Sequence, residues 1–172
     1  YTHAIVRAAA LALAEHPRLN ATLEGDVIRL SDEVNVGVAV ALDEGLIVPV
    51  LRDADRKSLR QIAIEARELS EKARQGTLSV DEVTGGTFTV TALGMYDVDT
   101  FTPIVNPPQC AILGVGRVKD VPAFQGDEVV RRSVVSLSLS FDHRLVDGAP
   151  AAEFLRSVKH YLEQPDLLAG EK

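Results

Sequence analysis

His143 and Asp147 stand four residues apart in Asp142-His143-Arg144-Leu145-Val146-Asp147-Gly148, a string that offers a base, a guanidinium and a carboxylate at fixed spacing. Proton transfer is the chemistry these types suit, because a neutral imidazole is a base near neutral pH. Before them runs Val134-Val135-Ser136-Leu137-Ser138-Leu139-Ser140-Phe141, whose period-two alternation predicts a half-buried strand. After them Gly148 and Pro150 lead into a helical pattern from Ala151 to Leu162. His143 therefore falls at a strand-to-helix corner, where a rigid scaffold presents a side chain into a cleft. A plainer account of the same residues makes Asp147 the N-cap of the last helix and His143 an ordinary turn residue.

The complete string Phe141 to Gly148 resembles the signature of the dihydrolipoamide acyltransferases, the core subunits of the 2-oxo acid dehydrogenase complexes. Three further segments are similar to that family in its order. They are Ala10-Leu11-Ala12-Leu13-Ala14-Glu15-His16-Pro17-Arg18-Leu19-Asn20-Ala21, then Gly85-Gly86-Thr87-Phe88-Thr89-Val90-Thr91-Ala92-Leu93-Gly94, then the stretch from Phe101 to Gly116. Separated matches in order are far more specific than one short motif. The resemblance runs from about Ala4 to the end of the chain.

This resemblance implies transfer of an acyl group between dihydrolipoamide and coenzyme A, with coenzyme A as substrate and the lipoyl group carried on a separate domain. A free thiol has a pKa near 8.5 and histidine one near 6.5, so imidazole can take the thiol proton during attack. His143 is assigned as that general base, a role worth about 10² to 10⁴ in rate. Thr91 matches the position where relatives carry Ser or Thr. Its hydroxyl would stabilise the oxyanion of the tetrahedral intermediate by about 3 to 4 kcal/mol. Thr87 and Thr89 are read as β-branched strand formers. Asp147 is the third residue that the family marks as active-site, suited to fixing loop geometry through a hydrogen bond or an Arg pair with a partner such as Arg144. Asp142 supports the turn, and acetyl or branched-chain acyl groups are favoured over succinyl.

The resemblance further implies a homotrimer with His143 and Thr91 on different chains at each site, assembled into hollow cores of roughly 24 or 60 subunits. The decarboxylase and dihydrolipoamide dehydrogenase of the complex would be partners, in the bacterial cytoplasm or the mitochondrial matrix. Residues 1–172 are read as one catalytic domain, with a front segment, a lipoyl domain and a subunit-binding domain expected upstream. One departure from the family is Met95-Tyr96-Asp97-Val98-Asp99-Thr100, which puts two carboxylates near Thr91 where relatives are richer in glycine. A chloramphenicol acetyltransferase-like O-acyltransferase and a catalytically inactive structural core subunit are the competing functions.

Composition narrows the classes. With 18 Lys+Arg against 25 Asp+Glu the net charge is −7 and no basic run occurs, which disfavours nucleic acid as a partner. No apolar stretch approaches the roughly 20 residues that span a bilayer. The single Cys110 excludes an intrachain disulfide and sits in an apolar run that predicts core packing. His3, His16 and His160 fall in no ligand pattern, so no metal is expected.

The elements that must position the site follow from periodicity. A helix is predicted from a Thr2 cap to Glu15, buried on more than one side and ended by His16-Pro17. Val27 to Leu30 is a short strand, and Val36 to Leu42 with Leu46 to Leu51 form a hairpin through Asp43-Glu44-Gly45. Ser58 and Gln61 form a capping box for a helix that Gly76 stops, and a short helix is expected from Ser79 with Glu82. Strands are expected at Thr87 to Ala92, Cys110 to Val118 and Val134 to Phe141, with a small hairpin turned by Gly126 between Val121 and Val130. The order predicts an α/β fold, a two-layer sandwich of a mixed sheet with helices mostly on one face. By resemblance it is chloramphenicol acetyltransferase-like.

Overall fold

Alternation along β7 (Phe88–Ala92) sends Phe88 and Val90 to one side and Thr89 and Thr91 to the other, and the whole sheet keeps this division. The computed structural model describes residues 1–169. β7 lies parallel to β3 (Val36–Val38) and to β8 (Ala111–Gln125), and β8 pairs antiparallel with β9 (Glu128–Phe141). With β6 (Val50–Leu51) the mixed sheet has the order β6-β3-β7-β8-β9. Val90 is level with Leu113, and Leu113 with Leu139, so one face is apolar across three strands.

That apolar face carries the helices. α1 (Thr2–Glu15) is buried from Ile5 to Ala10 on nearly every side, and α3 (Gly148–Glu163) sends Phe154 against Phe88 with ring centroids 5.5 Å apart. Burying a side chain of this size contributes about 1.5 to 3 kcal/mol. α2 (Leu59–Gln75) packs Ile62, Ala66, Leu69 and Ala73 inward at helical spacing. Its capping box is formed, with Gln61 N donating to Ser58 Oγ, and Gly76 ends it at φ 67°. The two-layer expectation holds, and Cys110 is wholly buried.

Several local expectations change. Thr2 opens α1 as its first helical residue, and the preceding Tyr1 caps it without a side-chain hydrogen bond. β2 (Val27–Leu30) pairs with an unexpected β1 (Ala21–Glu24) across Gly25. The hairpin through Gly45 forms but splits, because Pro49 lacks an N–H for the ladder. Its outer part, β4 (Val40–Leu42) with β5 (Gly45–Ile47), is a separate ribbon, while β3 and β6 stay in the main sheet. No helix forms at Ser79. The Ser79–Glu82 cap bonds exist, but Gly85 and Gly86 follow within a turn and leave too few residues to repay nucleation. β8 and β9 run as one long hairpin to Gly126, and α4 (Pro165–Ala169) follows α3.

Candidate active site

The corner after β9 is pinned from both sides. Ala111 pairs with Phe141, and one residue further Asp142 N donates to Cys110 O at 2.8 Å. Leu145 N and Val146 N then donate back to Asp142 O at 3.0 and 3.3 Å, and both side chains are buried. These apolar plugs hold the turn to the core, so His143 stands at its apex with a side chain 73% exposed. Its ring lies 5.7 Å from that of Phe141, centroid to centroid, at 39°.

Asp142 accepts from Arg144 N and Nε, each at 3.0 Å, and from a terminal nitrogen of the same guanidinium at 2.6 Å. This clamp holds the Asp142 carboxyl below its usual range, chiefly through the guanidinium hydrogen bonds. Arg144 therefore pairs with Asp142 and not with Asp147, because the residue two positions back lies within reach of its fork. Asp147 occupies the N-cap position of α3, as the plainer account proposed, yet its side chain makes no cap hydrogen bond. Its Oδ1 instead lies 3.4 Å from His143 Nδ1. That exposed contact is longer than an ordinary hydrogen bond and steers the ring more than it binds it. Nε2 of this exposed ring has no partner among the described residues.

Thr87, Thr89 and Thr91 share the helix-free face, and the first two do more than favour a strand. Thr87 Oγ1 accepts from Asn35 N at 3.0 Å, and Thr89 Oγ1 donates to Gln109 Oε1 at 2.6 Å. Thr91 alone of the three has no hydrogen-bond partner among the described residues, so its half-buried O–H is unengaged. Reasoning from sequence missed these side-chain bonds because Asn35 and Gln109 are remote in the chain.

Close packing over the same face fixes what lies beside Thr91. Gly114 is its partner in β8, and a Cβ there would stand 3.1 Å from the Phe101 ring. A Cβ on Gly116 would lie 1.9 Å from Asp99 O, so only glycine lets that strap approach. The two carboxylates of the departure segment are neutralised by partners. Arg117 bonds both Asp97 and Asp99, and Lys119 meets Asp99 at 2.7 Å. Hydrogen bonds from Lys119 and then Arg117 lower the Asp99 pKa.

One chain does not bring Thr91 and His143 together. Thr91 is level with Gly114 and Ser138, whereas His143 lies beyond Phe141 at the far end of β9. Among the described residues no group of three or more His, Cys, Asp or Glu could hold a metal ion, and no helix is long and apolar enough to cross a membrane.

Residues 1–169 match the family of 2-oxoacid dehydrogenase acyltransferase catalytic domains. A dihydrolipoyllysine-residue acetyltransferase component of the acetoin cleaving system of Bacillus subtilis is 48% identical over 167 residues, which are 97% of this chain and 42% of that protein. A mitochondrial succinyltransferase component of 2-oxoglutarate dehydrogenase complex 1 from Arabidopsis thaliana is 43% identical over 163 residues, 95% of this chain and 35% of that protein. The chain thus spans less than half the length of these relatives. Among solved structures, a probable dihydrolipoamide acetyltransferase of Listeria monocytogenes superposes with TM-score 0.92 at 39% identity, over 100% of this chain and 73% of that one. A dihydrolipoamide acetyltransferase of Azotobacter vinelandii, studied for the roles of a serine, a histidine and an asparagine in catalysis, gives 0.91 at 39% identity, over 97% of this chain and 70% of that one. A chloramphenicol acetyltransferase, at 18% identity and TM-score 0.57, shares the fold alone. The pinned corner, the threonine row and these likenesses converge, and the chain belongs to the 2-oxoacid dehydrogenase acyltransferase family, as its catalytic domain.

Proposed function

We propose that this domain transfers an acyl group between dihydrolipoamide and coenzyme A, with His143 as general base and Thr91 as oxyanion donor. His143 Nε2 takes the proton of the attacking thiol as its sulfur bonds to the thioester carbonyl carbon. The carbonyl oxygen becomes an oxyanion that receives the Thr91 O–H. Collapse breaks the original C–S bond, and the departing thiolate takes the proton back from the imidazolium. One thioester replaces another, so little driving force is needed and no redox partner enters.

The observation that carries this reading is the pinned His143, whose Nδ1 is turned to Asp147 and whose Nε2 is free at the end of a rigid strand. The Azotobacter protein supports it. Its serine, histidine and asparagine are separated by the same numbers of residues as Thr91, His143 and Asp147. Here Thr stands for Ser with the same hydroxyl, and Asp for Asn, adding a charge beside the ring. The site would be completed between neighbours in a trimer, within a larger core. The solved cubic core of a pyruvate dehydrogenase multienzyme complex, 40% identical, supports such assembly. The lipoyl group would arrive on a separate domain, with the decarboxylase and dihydrolipoamide dehydrogenase as the other members. Bacterial and mitochondrial relatives support the cytoplasm or the matrix as its location.

The test measures transfer from acetyl-, isobutyryl- and succinyl-coenzyme A to free dihydrolipoamide, with a small alcohol acceptor alongside. Acetyl or branched-chain transfer is expected to lead, and His143→Ala to lower it about 10²- to 10⁴-fold. Transfer that ignores the substitution, or that prefers the alcohol, overturns the assignment.

A further inference from the structure

On the helical side, away from the acyl-transfer corner, a charged groove runs along α2. Arg60, Ile64, Arg67, Glu71 and Arg74 recur at spacings of four and three residues, so they share one face of the helix. A cavity of about 740 Å³ is lined by Arg60, Arg67 and Arg74, and one of about 950 Å³ by Arg7, Arg56 and Arg60. Arg60 and Ile64 line both, which makes them one groove. Its walls carry five arginines against two carboxylates, Asp55 and Glu71.

This concentration runs against the chain, whose net charge is −7. Elsewhere Lys57, Lys72, Arg117, Lys119 and Arg144 each meet a carboxylate, while Arg52 and Arg132 meet only a carbonyl or amide oxygen and Arg18 and Arg156 make no ion pair among the described residues. In the groove, Arg56, Arg60 and Arg74 make no ion pair or side-chain hydrogen bond among the described residues. Arg67 reaches Glu71 only at 3.6 Å. Arg7, 7% exposed, donates from one terminal nitrogen to Ala54 O and Asp55 O and leaves its Nε unpartnered. From Arg60 to Arg74 the helix rises about 21 Å, too long for one small ion. Ile64, 49% exposed, and Leu167, 42% exposed, add apolar surface within it.

We propose that this groove docks an acidic polypeptide segment, with carboxylates meeting Arg60 and Arg74 and an apolar side chain between them on Ile64. The charge surplus calls for an anion, the length for a chain, and the apolar floor for a peptide in preference to a phosphate polymer. The proposal is independent of the acyl-transfer reading, since none of these residues belongs to that site.

The test uses a fluorescent synthetic peptide of about four helical turns with glutamates and leucines on one face, read by anisotropy with the intact protein. Binding is expected, weakening with added salt, and Arg60→Glu with Arg74→Glu should reduce it about tenfold or more while leaving acyl transfer unchanged. Arg60→Lys with Arg74→Lys should keep most of it. Absence of binding, equal binding by the charge-reversed protein, or equal binding of a lysine-for-glutamate peptide overturns the proposal. So does full displacement of the peptide by equimolar tripolyphosphate, or a change in oligomeric mass on charge reversal, which would make the face a subunit interface.

Discussion

Mixing two inactive variants should restore activity. The ladder sets Thr91 level with Ser138, two strand spacings away, and Phe141 three residues further along β9. At about 4.8 Å per spacing and about 3.3 Å per residue, Thr91 and Phe141 lie about 14 Å apart, and His143 lies beyond. A base and an oxyanion donor acting on one thioester carbon must each stand within about 3 Å of the reacting atoms. The register sets the two groups apart along one chain, and the proposed reading therefore takes His143 from one subunit and Thr91 from its neighbour at each working site. Alone, His143→Ala is expected to lose about 10²- to 10⁴-fold in rate and Thr91→Ala about 10²- to 10³-fold. Coexpressed in equal amounts, half of the chains retain each group. Random assembly in a ring then leaves about one quarter of the sites with both. Acetyl transfer by the mixture should therefore recover to about a quarter of the unmodified rate, far above either variant alone. Recovery no greater than the average of the two variants, in assemblies shown by mass to be mixed, refutes the shared site.

Three further outcomes follow from the geometry. Asp147→Ala should lower kcat by less than about tenfold, because an exposed contact is worth about 1 kcal/mol or less; a loss matching that of His143→Ala would give the carboxylate a larger part than steering. The Cys110 thiol, pushed up to about 11 by burial, should resist iodoacetamide in the native protein and react after denaturation, as followed by mass spectrometry; prompt native labelling contradicts the packing. The Asp142 carboxyl is lowered by Arg144, so its contribution to the folded corner is present above the ordinary range near about 3.9 and is lost as pH falls through its lower folded value. Arg144→Ala should raise that titration toward the ordinary range in a carboxyl carbon NMR experiment, and an unchanged curve would contradict the clamp.

What was legible in the sequence was what local chemistry decides. The α2 capping box, the left-handed Gly76 and the strand that delivers His143 each depend on residues within a few positions of one another. The partners of Thr87 and Thr89 come from other parts of the sheet, and no spacing reveals them. Arg144 had two carboxylates available by sequence, and only the fold of the turn selects Asp142. The outer half of the β8–β9 hairpin joins strands that the sequence presents as separate, for another reason. Residues such as Lys119, Asp120, Arg131 and Arg132 are polar on both faces, so hydrophobic periodicity falls silent where backbone pairing and polar cross-strand contacts define the strands.

That hairpin changes character along its length. β7 supports β8 only as far as Val115, and the pairing register shifts between Val115 and Val118. Beyond Lys119, which still meets Asp99, a two-stranded ribbon runs to Gly126, and such a ribbon is marginal by itself. Amide protons near Gly126 should therefore exchange through small local openings, and those from Ala111 to Val115 only when the whole core comes apart, as native-state hydrogen exchange would read. His143, the proposed general base, is rooted at the supported end of the hairpin, so the tip can breathe, lengthen or change its residues across generations while the corner at the root keeps its alignment.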